Sequence, residues 1–125
     1  MSSQISALYF HISEKPEPKV SQVEMALSAQ FGLRFFALDN HSDQVSIQYA
    51  SEFIEEAESV LVVIWQDNDG PNKGFQAILN ALLKKGKDAK LLTNVASPFV
   101  DKLAKKIPTN RLKTTSELWS KLKEY

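Results

Sequence analysis

One run constrains this chain more than any other: Ser59-Val60-Leu61-Val62-Val63-Ile64-Trp65. It is β-branched and apolar almost throughout. Side chains alternate between the two faces of a strand, so a strand with no polar face has to be covered on both sides. Such strands lie in the middle of parallel sheets, whose crossover helices pack on both faces. The rest of the chain must therefore supply further strands and the crossovers between them.

It does so by alternation. Ala7-Leu8-Tyr9-Phe10-His11-Ile12 reads as a first, doubly covered strand. Residues 19–31 carry Val20, Val23, Leu27 and Phe31 on one helical stripe, stopped by Gly32. Leu33 to Leu38 is a second strand, and Asp39-Asn40-His41-Ser42-Asp43 is a loop with helix-start chemistry. A helix to about Glu58 follows, with Tyr49, Ala50, Phe53, Ile54 and Ala57 inward. After the Val60–Ile64 run comes the longest polar loop, Gln66 to Gly74, which reads as solvent-facing. Phe75, Ile78, Leu79, Leu82 and Leu83 mark a helix ending at Gly86, and Ala89 to Val95 is a fourth strand. Ser97-Pro98 opens a helix with Phe99, Val100, Leu103, Ala104 and Ile107 on its apolar face. Arg111 to Thr114 reads as a short edge strand. Thr114-Thr115-Ser116-Glu117 has capping-box spacing for a last helix carrying Leu118, Trp119, Leu122 and Tyr125.

Five βα units in 125 residues predict one domain over 1–125. The expected fold class is α/β, a three-layer, doubly wound, five-stranded parallel sheet in the flavodoxin-like order 2-1-3-4-5.

Composition narrows the chemistry. There is no Cys, which excludes disulfides, thiolate metal sites and a cysteine nucleophile, and fits a reducing compartment; a cytoplasmic location is expected. Two His preclude a multi-histidine metal site within one chain. MSSQIS has neither a basic region nor an apolar stretch, so no secretory signal is expected, and no run approaches a membrane span. Residues 1–60 hold nine acids and three bases, residues 61–125 six acids and twelve bases. Many of the second set (Lys84, Lys85, Lys87, Lys105, Lys106) fall where helices end, and cations there offset the helix dipole. That explains the basic half without nucleic acid, and no basic stripe interleaved with aromatics is present. The asymmetry also fits a homo-oligomer or another protein partner.

In this architecture ligands sit beyond the carboxyl ends of the strands, at the switch between the first and third. Those ends carry Ser13, Glu14 and Lys15, then Asp39, Asn40 and His41, then Gln66, Asp67, Asn68 and Asp69, and finally Asn94 and Ser97, an acidic and amide-rich mouth. Ser13, Glu14, Asp39, His41, Asp67, Asp69 and Asn94 are the candidate ligand-binding residues. No Gly occurs between His11 and Pro18, and two Pro remove donor N–H groups, so a glycine-rich dinucleotide or Walker loop is excluded. Asp39, Asp67 and Asp69 are oxygen ligands of the kind Mg²⁺ takes, but loop acids beside helix starts are more often caps, and no metal or other cofactor is expected. His41 between Asp39 and Asp43 has the composition of a general base, yet no motif sets a nucleophile beside it. A phospho-receiver reading fails because the paired acids needed after the first strand are His11 and Ile12 here.

Tyr49-Ala50-Ser51-Glu52-Phe53-Ile54-Glu55-Glu56-Ala57-Glu58-Ser59-Val60-Leu61-Val62-Val63-Ile64 resembles TIR domains and the related nucleoside deoxyribosyltransferase-like proteins. There, too, a helix leads into a hydrophobic third strand. Gly70 to Ala81, then Gly86-Lys87 and a strand, resembles their next loop and helix, so the likeness spans about residues 45–95. It implies a nucleotide-like small ligand. Catalytic members cleave N-glycosidic bonds with a Glu on the helix after the third strand, because a carboxylate must meet the oxocarbenium-like centre. This chain has Gln76 near that place and no acid between Lys73 and Gly86. The expectation is therefore a binding or protein-interaction domain without catalytic residues, with nucleoside or nucleotide processing by acids at the mouth as the alternative.

Overall fold

The computed structural model describes residues 5–15, 21–67 and 74–125. The strands are β1 (Ile5–Ile12), β2 (Phe35–Asp39), β3 (Ser59–Gln66), β4 (Ala89–Thr93) and β5 (Thr109–Arg111). The helices are α1 (Gln22–Phe31), α2 (Gln44–Glu56), α3 (Phe75–Lys85), α4 (Pro98–Ala104) and α5 (Thr115–Leu122). All four strand pairings are parallel, and the order is β2-β1-β3-β4-β5. This is the three-layer flavodoxin-like fold that the alternation predicts, in a single domain. No described helix is long and apolar enough to cross a membrane.

The pleat divides the core in two. Leu8, Phe10 and Ile12 of β1, with Val60, Val62 and Ile64 of β3, face α2, α3 and α4. Ala7 and Tyr9, with Leu61, Val63 and Trp65, face α1 and α5. Both faces of β3 are dry, as its composition demands. The caps follow local chemistry: the side chains of Ser21, Asp43, Ser97 and Thr114 accept the N–H groups of Glu24, Ser46, Val100 and Glu117. At the opposite end of the sheet Lys85 Nζ donates to the carbonyls of Glu55 and Ala57, where α2 ends. This is the dipole-matching role read for the lysines.

Several boundaries differ from the sequence reading. Gly32 turns with φ +61°, and Gly32–Arg34 form a single 3₁₀ turn, so β2 begins at Phe35 and leaves Leu33 in solvent. β5 lies two residues earlier than expected: Leu91 and Thr93 pair with Thr109 and Arg111, while Thr114 is spent as the α5 cap. β4 ends at Thr93 rather than Val95, and α2 ends at Glu56. α1 starts after the Ser21 cap, and Val20 lies outside the described residues. Tyr49, Leu83 and Phe99, read as inward, are exposed at the margins of their apolar stripes.

Candidate functional site

The carboxyl ends of the strands are held by two matching amide clamps. Asn40 directly follows β2 and is fully buried. Its Oδ1 accepts from the Ser13 N–H at 3.1 Å, and its Nδ2 donates to the Ser13 carbonyl at 2.9 Å. Asn94 directly follows β4. Its Oδ1 accepts from the Gln66 N–H at 2.7 Å, and its Nδ2 donates to the Gln66 carbonyl at 2.7 Å. Each amide thus continues the ladder one step past the strand end, holding the tail of β1 from one side and the tail of β3 from the other. A single asparagine side chain matches the donor and acceptor of one peptide residue, which is why this type fits here. The Asn40 N–H reaches His11 O and the Asp67 N–H reaches Ile12 O, both at 3.1 Å, closing the rest of the rim.

The predicted residues therefore take distinct parts. Ser13 is buried, and its Oγ donates to the Lys15 carbonyl at 2.7 Å. Glu14 is exposed beside it. Asp39 Oδ1 accepts from the His41 N–H at 2.8 Å and from Ser42 Oγ at 3.3 Å, so it shapes the turn after β2. His41 Nε2 lies 3.0 Å from the Ser13 carbonyl, which requires the proton on that nitrogen. Ser13, Asp39 and His41 form one hydrogen-bonded knot with Asn40, which the sequence places at this end of the sheet but not among the candidate ligand-binding residues. Asp69 lies outside the described residues.

Asp67 is exposed, in keeping with the solvent-facing reading of its loop, but it also has a partner. Its Oδ2 lies 2.5 Å from His11 Nε2, with the His side chain buried and the Asp half exposed. His11 sits at the end of β1 on the α1/α5 face, stacked on Tyr9 (ring centroids 5.8 Å apart, planes at 15°). Asp39 is its register partner in β2 and Trp65 in β3. Glu24, in the first turn of α1, completes the surroundings. Burial holds its carboxyl above the usual range, the His11 charge draws it down, and Asp39 pushes it up. Among the described residues no group of three His, Asp or Glu side chains is arranged to hold a metal ion.

The raised Glu24 carboxyl has a sign for stability. Between about pH 4.5 and its higher folded value, the native state binds more proton than the unfolded chain, so stability falls as pH rises through that window. Glu24→Gln keeps the α1 cap and removes that titration. The variant is expected to melt at or above the wild-type temperature at pH 7, with the difference vanishing below pH 4. A scan of melting temperature against pH checks this; a variant less stable at pH 7 than at pH 4, relative to wild type, contradicts it.

On the other face lies a recess of about 390 Å³, open to solvent, over the ends of β1, β3 and β4. Ile12 and Gln66 make its floor. Phe75 and Gln76 open α3 on one side, and Ser97, Pro98 and Phe99 open α4 on the other. None of the described lining residues is charged. Asp67 does not line it, because alternation puts Asp67 with His11 on the opposite side of the sheet. Of its wall, the sequence reading named Gln66 and Ser97 at the strand ends and Gln76 on the next helix, but none of the three among the candidate ligand-binding residues. Phe75 and Phe99 read as core, since an aromatic at a helix start fits a core stripe as well as a rim.

No family model, curated protein or solved structure matches the chain.

Proposed function

We propose that this protein is a non-catalytic binding domain for a small, neutral, planar ligand of nucleoside type, held in the recess between the first turns of α3 and α4. The observation that carries the reading is the lining. Two aromatic rings, Phe75 and Phe99, flank a space within the size range of small-molecule sites, and Gln66, Gln76 and Ser97 line it with uncharged polar groups, Gln76 Nε2 donating to Asn80 at 3.0 Å and Ser97 Oγ accepting from the Val100 N–H. Amides present donor and acceptor together, which suits the mixed edge of a heteroaromatic ring. Lys and Arg are absent from the described wall, so a phosphate gains no charge-assisted contact there.

The resemblance to TIR and deoxyribosyltransferase-like proteins supports the same class of ligand. Gln76, at the recess wall, is near the place where the resemblance would put the Glu of their catalytic members, and a neutral amide cannot stabilise an oxocarbenium-like centre. Absence of Cys supports a cytoplasmic setting.

Melting of the purified chain against nucleosides and the matching nucleotides is the test. A ligand at a hundred times its Kd stabilises by about 2.7 kcal/mol, a shift of several degrees for a domain of this size. A nucleoside is expected to give that shift, its phosphate ester a smaller one, and Phe99→Ala to abolish both while keeping the unliganded melting temperature, because Phe99 is half exposed. A panel without any shift refutes the ligand class. Release of free base from a nucleoside refutes the non-catalytic half.

A further inference from the structure

We propose that the free edge of β2 is a self-association surface, on which two copies pair β2 to β2 in antiparallel fashion about a two-fold axis. The two edges of the sheet differ. β5 is three residues long, Thr109-Asn110-Arg111, polar, charged and preceded by Pro108. Those are the devices by which natural sheets discourage edge pairing. β2 has none of them at its centre. Phe35-Phe36-Ala37-Leu38 carries no charge and no proline, and Phe35, Phe36 and Ala37 are only partly covered.

Backbone direction identifies which groups are open. The Asn40 N–H turns inward to His11 O, whereas the Asp39 N–H turns outward to Ser42 Oγ at 3.0 Å. By alternation the N–H and C=O of Phe35 and Ala37 also point outward. A pairing centred on Phe36 sets Phe35 of each copy against Ala37 of the other, and those four groups per pair exchange hydrogen bonds as an antiparallel ladder does. It also sets the two Phe36 residues opposite one another in the close, non-hydrogen-bonded position. Each Phe36 ring already packs on Tyr49 (4.7 Å) and Phe53 (6.0 Å), and Tyr49 is more than half exposed. A two-fold axis normal to the sheet keeps like faces together, so the two aromatic groups meet across the seam.

Charge selects the direction. Arg34 precedes the apolar run and Asp39 ends it. Antiparallel pairing brings Arg34 of one copy to within a residue of Asp39 of the other, whereas parallel pairing sets like charges together. Such a contact is isologous and closes at two copies.

Sedimentation of the full chain over a concentration series tests the proposal, with hydrogen exchange on the same samples. The mass of two chains is expected at about 0.5 mM, where a dimer with micromolar Kd is formed. The Phe35 and Ala37 amides are expected to gain protection as concentration rises. Ala37→Pro removes one of the exchanged N–H groups and is expected to leave a monomer with native circular dichroism. Should that variant unfold, Tyr49→Lys decides: it puts two like charges at the seam and is expected to raise the dimer Kd at least tenfold. A wild-type monomer at every concentration overturns the proposal. So does a dimer that survives the substitutions, or one in which the Phe35 and Ala37 amides stay unprotected. A monomer that instead protects those amides with an added extended peptide overturns it in favour of a different partner.

Discussion

Asn40→Ala is expected to lower the free energy of unfolding by about 2–4 kcal/mol. The side chain is fully buried and makes both hydrogen bonds to the Ser13 backbone. Each lost bond is worth about 1 kcal/mol net, and a buried N–H or C=O left without a partner adds about 1–3 kcal/mol. Ser13 is buried, so water does not readily replace the amide there. Asn94→Ala provides the contrast. Its two bonds are shorter, but the site is only partly buried, and water can take over. About 1 kcal/mol is expected for it. Asn40→Asp separates amide matching from simple packing. It keeps an acceptor for the Ser13 N–H but sets a second oxygen against the Ser13 carbonyl, and is expected to cost at least as much as the alanine. Urea unfolding with an unchanged slope measures all three. A loss below about 1 kcal/mol for Asn40→Ala contradicts the clamp.

Gly74→Ala is expected to cost about 2–3 kcal/mol and to remove the nucleoside response. Gly74 precedes α3 with φ +83°, a left-handed conformation that costs other residues about 1–2 kcal/mol. A Cβ there would also stand 3.1 Å from Cδ1 and Cγ1 of Ile47 and 3.4 Å from Cε2 of Phe10, both core side chains. Overpacking at such a place adds about 1 kcal/mol or more. The next two residues, Phe75 and Gln76, are a wall of the recess, so a shift to relieve the contact deforms it. Gly86→Ala provides a contrast in the ligand response. Gly86 has φ +66° and ψ −133°, a backbone region that glycine adopts far more readily than other residues, but nothing lies within 4 Å of its Cβ position, so about 1–3 kcal/mol is expected from conformation alone and the ligand response should persist. Loss of the nucleoside response in both variants would show that contact with Ile47 and Phe10 is not what couples Gly74 to the recess.

The candidate site was legible in part, and the pattern of success is physical. Asp39, His41, Ser13 and Asn94 were placed at the right end of the sheet because topology alone puts the residues after each strand there. What each does was not legible. Asn94 matches the carbonyl and amide of Gln66 at the end of β3, and Asn40, read only as one polar residue of the mouth, performs the same task for Ser13. The shared signal was an Asn immediately after a strand in both. His11 read as a packed histidine, and it is one, but its partner Asp67 came from a loop read as solvent-facing. Pairing over 56 residues leaves no trace in local pattern. Among helix residues, Tyr49, Leu83 and Phe99 fit the apolar period yet lie exposed. Periodicity marks a stripe of helix surface but not how far the sheet beneath it extends.

The run from Val60 to Ile64 and the alternation around it were enough to determine the class of fold, the direction of all five strands and their order. Hydrophobic period and crossover handedness are local or generic rules, and each acts on a stretch of chain the eye can read. The tertiary structure alone decided which side of the sheet each polar group serves. It set the carboxylate of Asp67 against His11 on one face and left a recess between Phe75 and Phe99, its described lining uncharged, on the other. Those outcomes depend on the parity of a residue within its strand and on contacts between distant segments, and a one-residue change in where a strand ends reverses them.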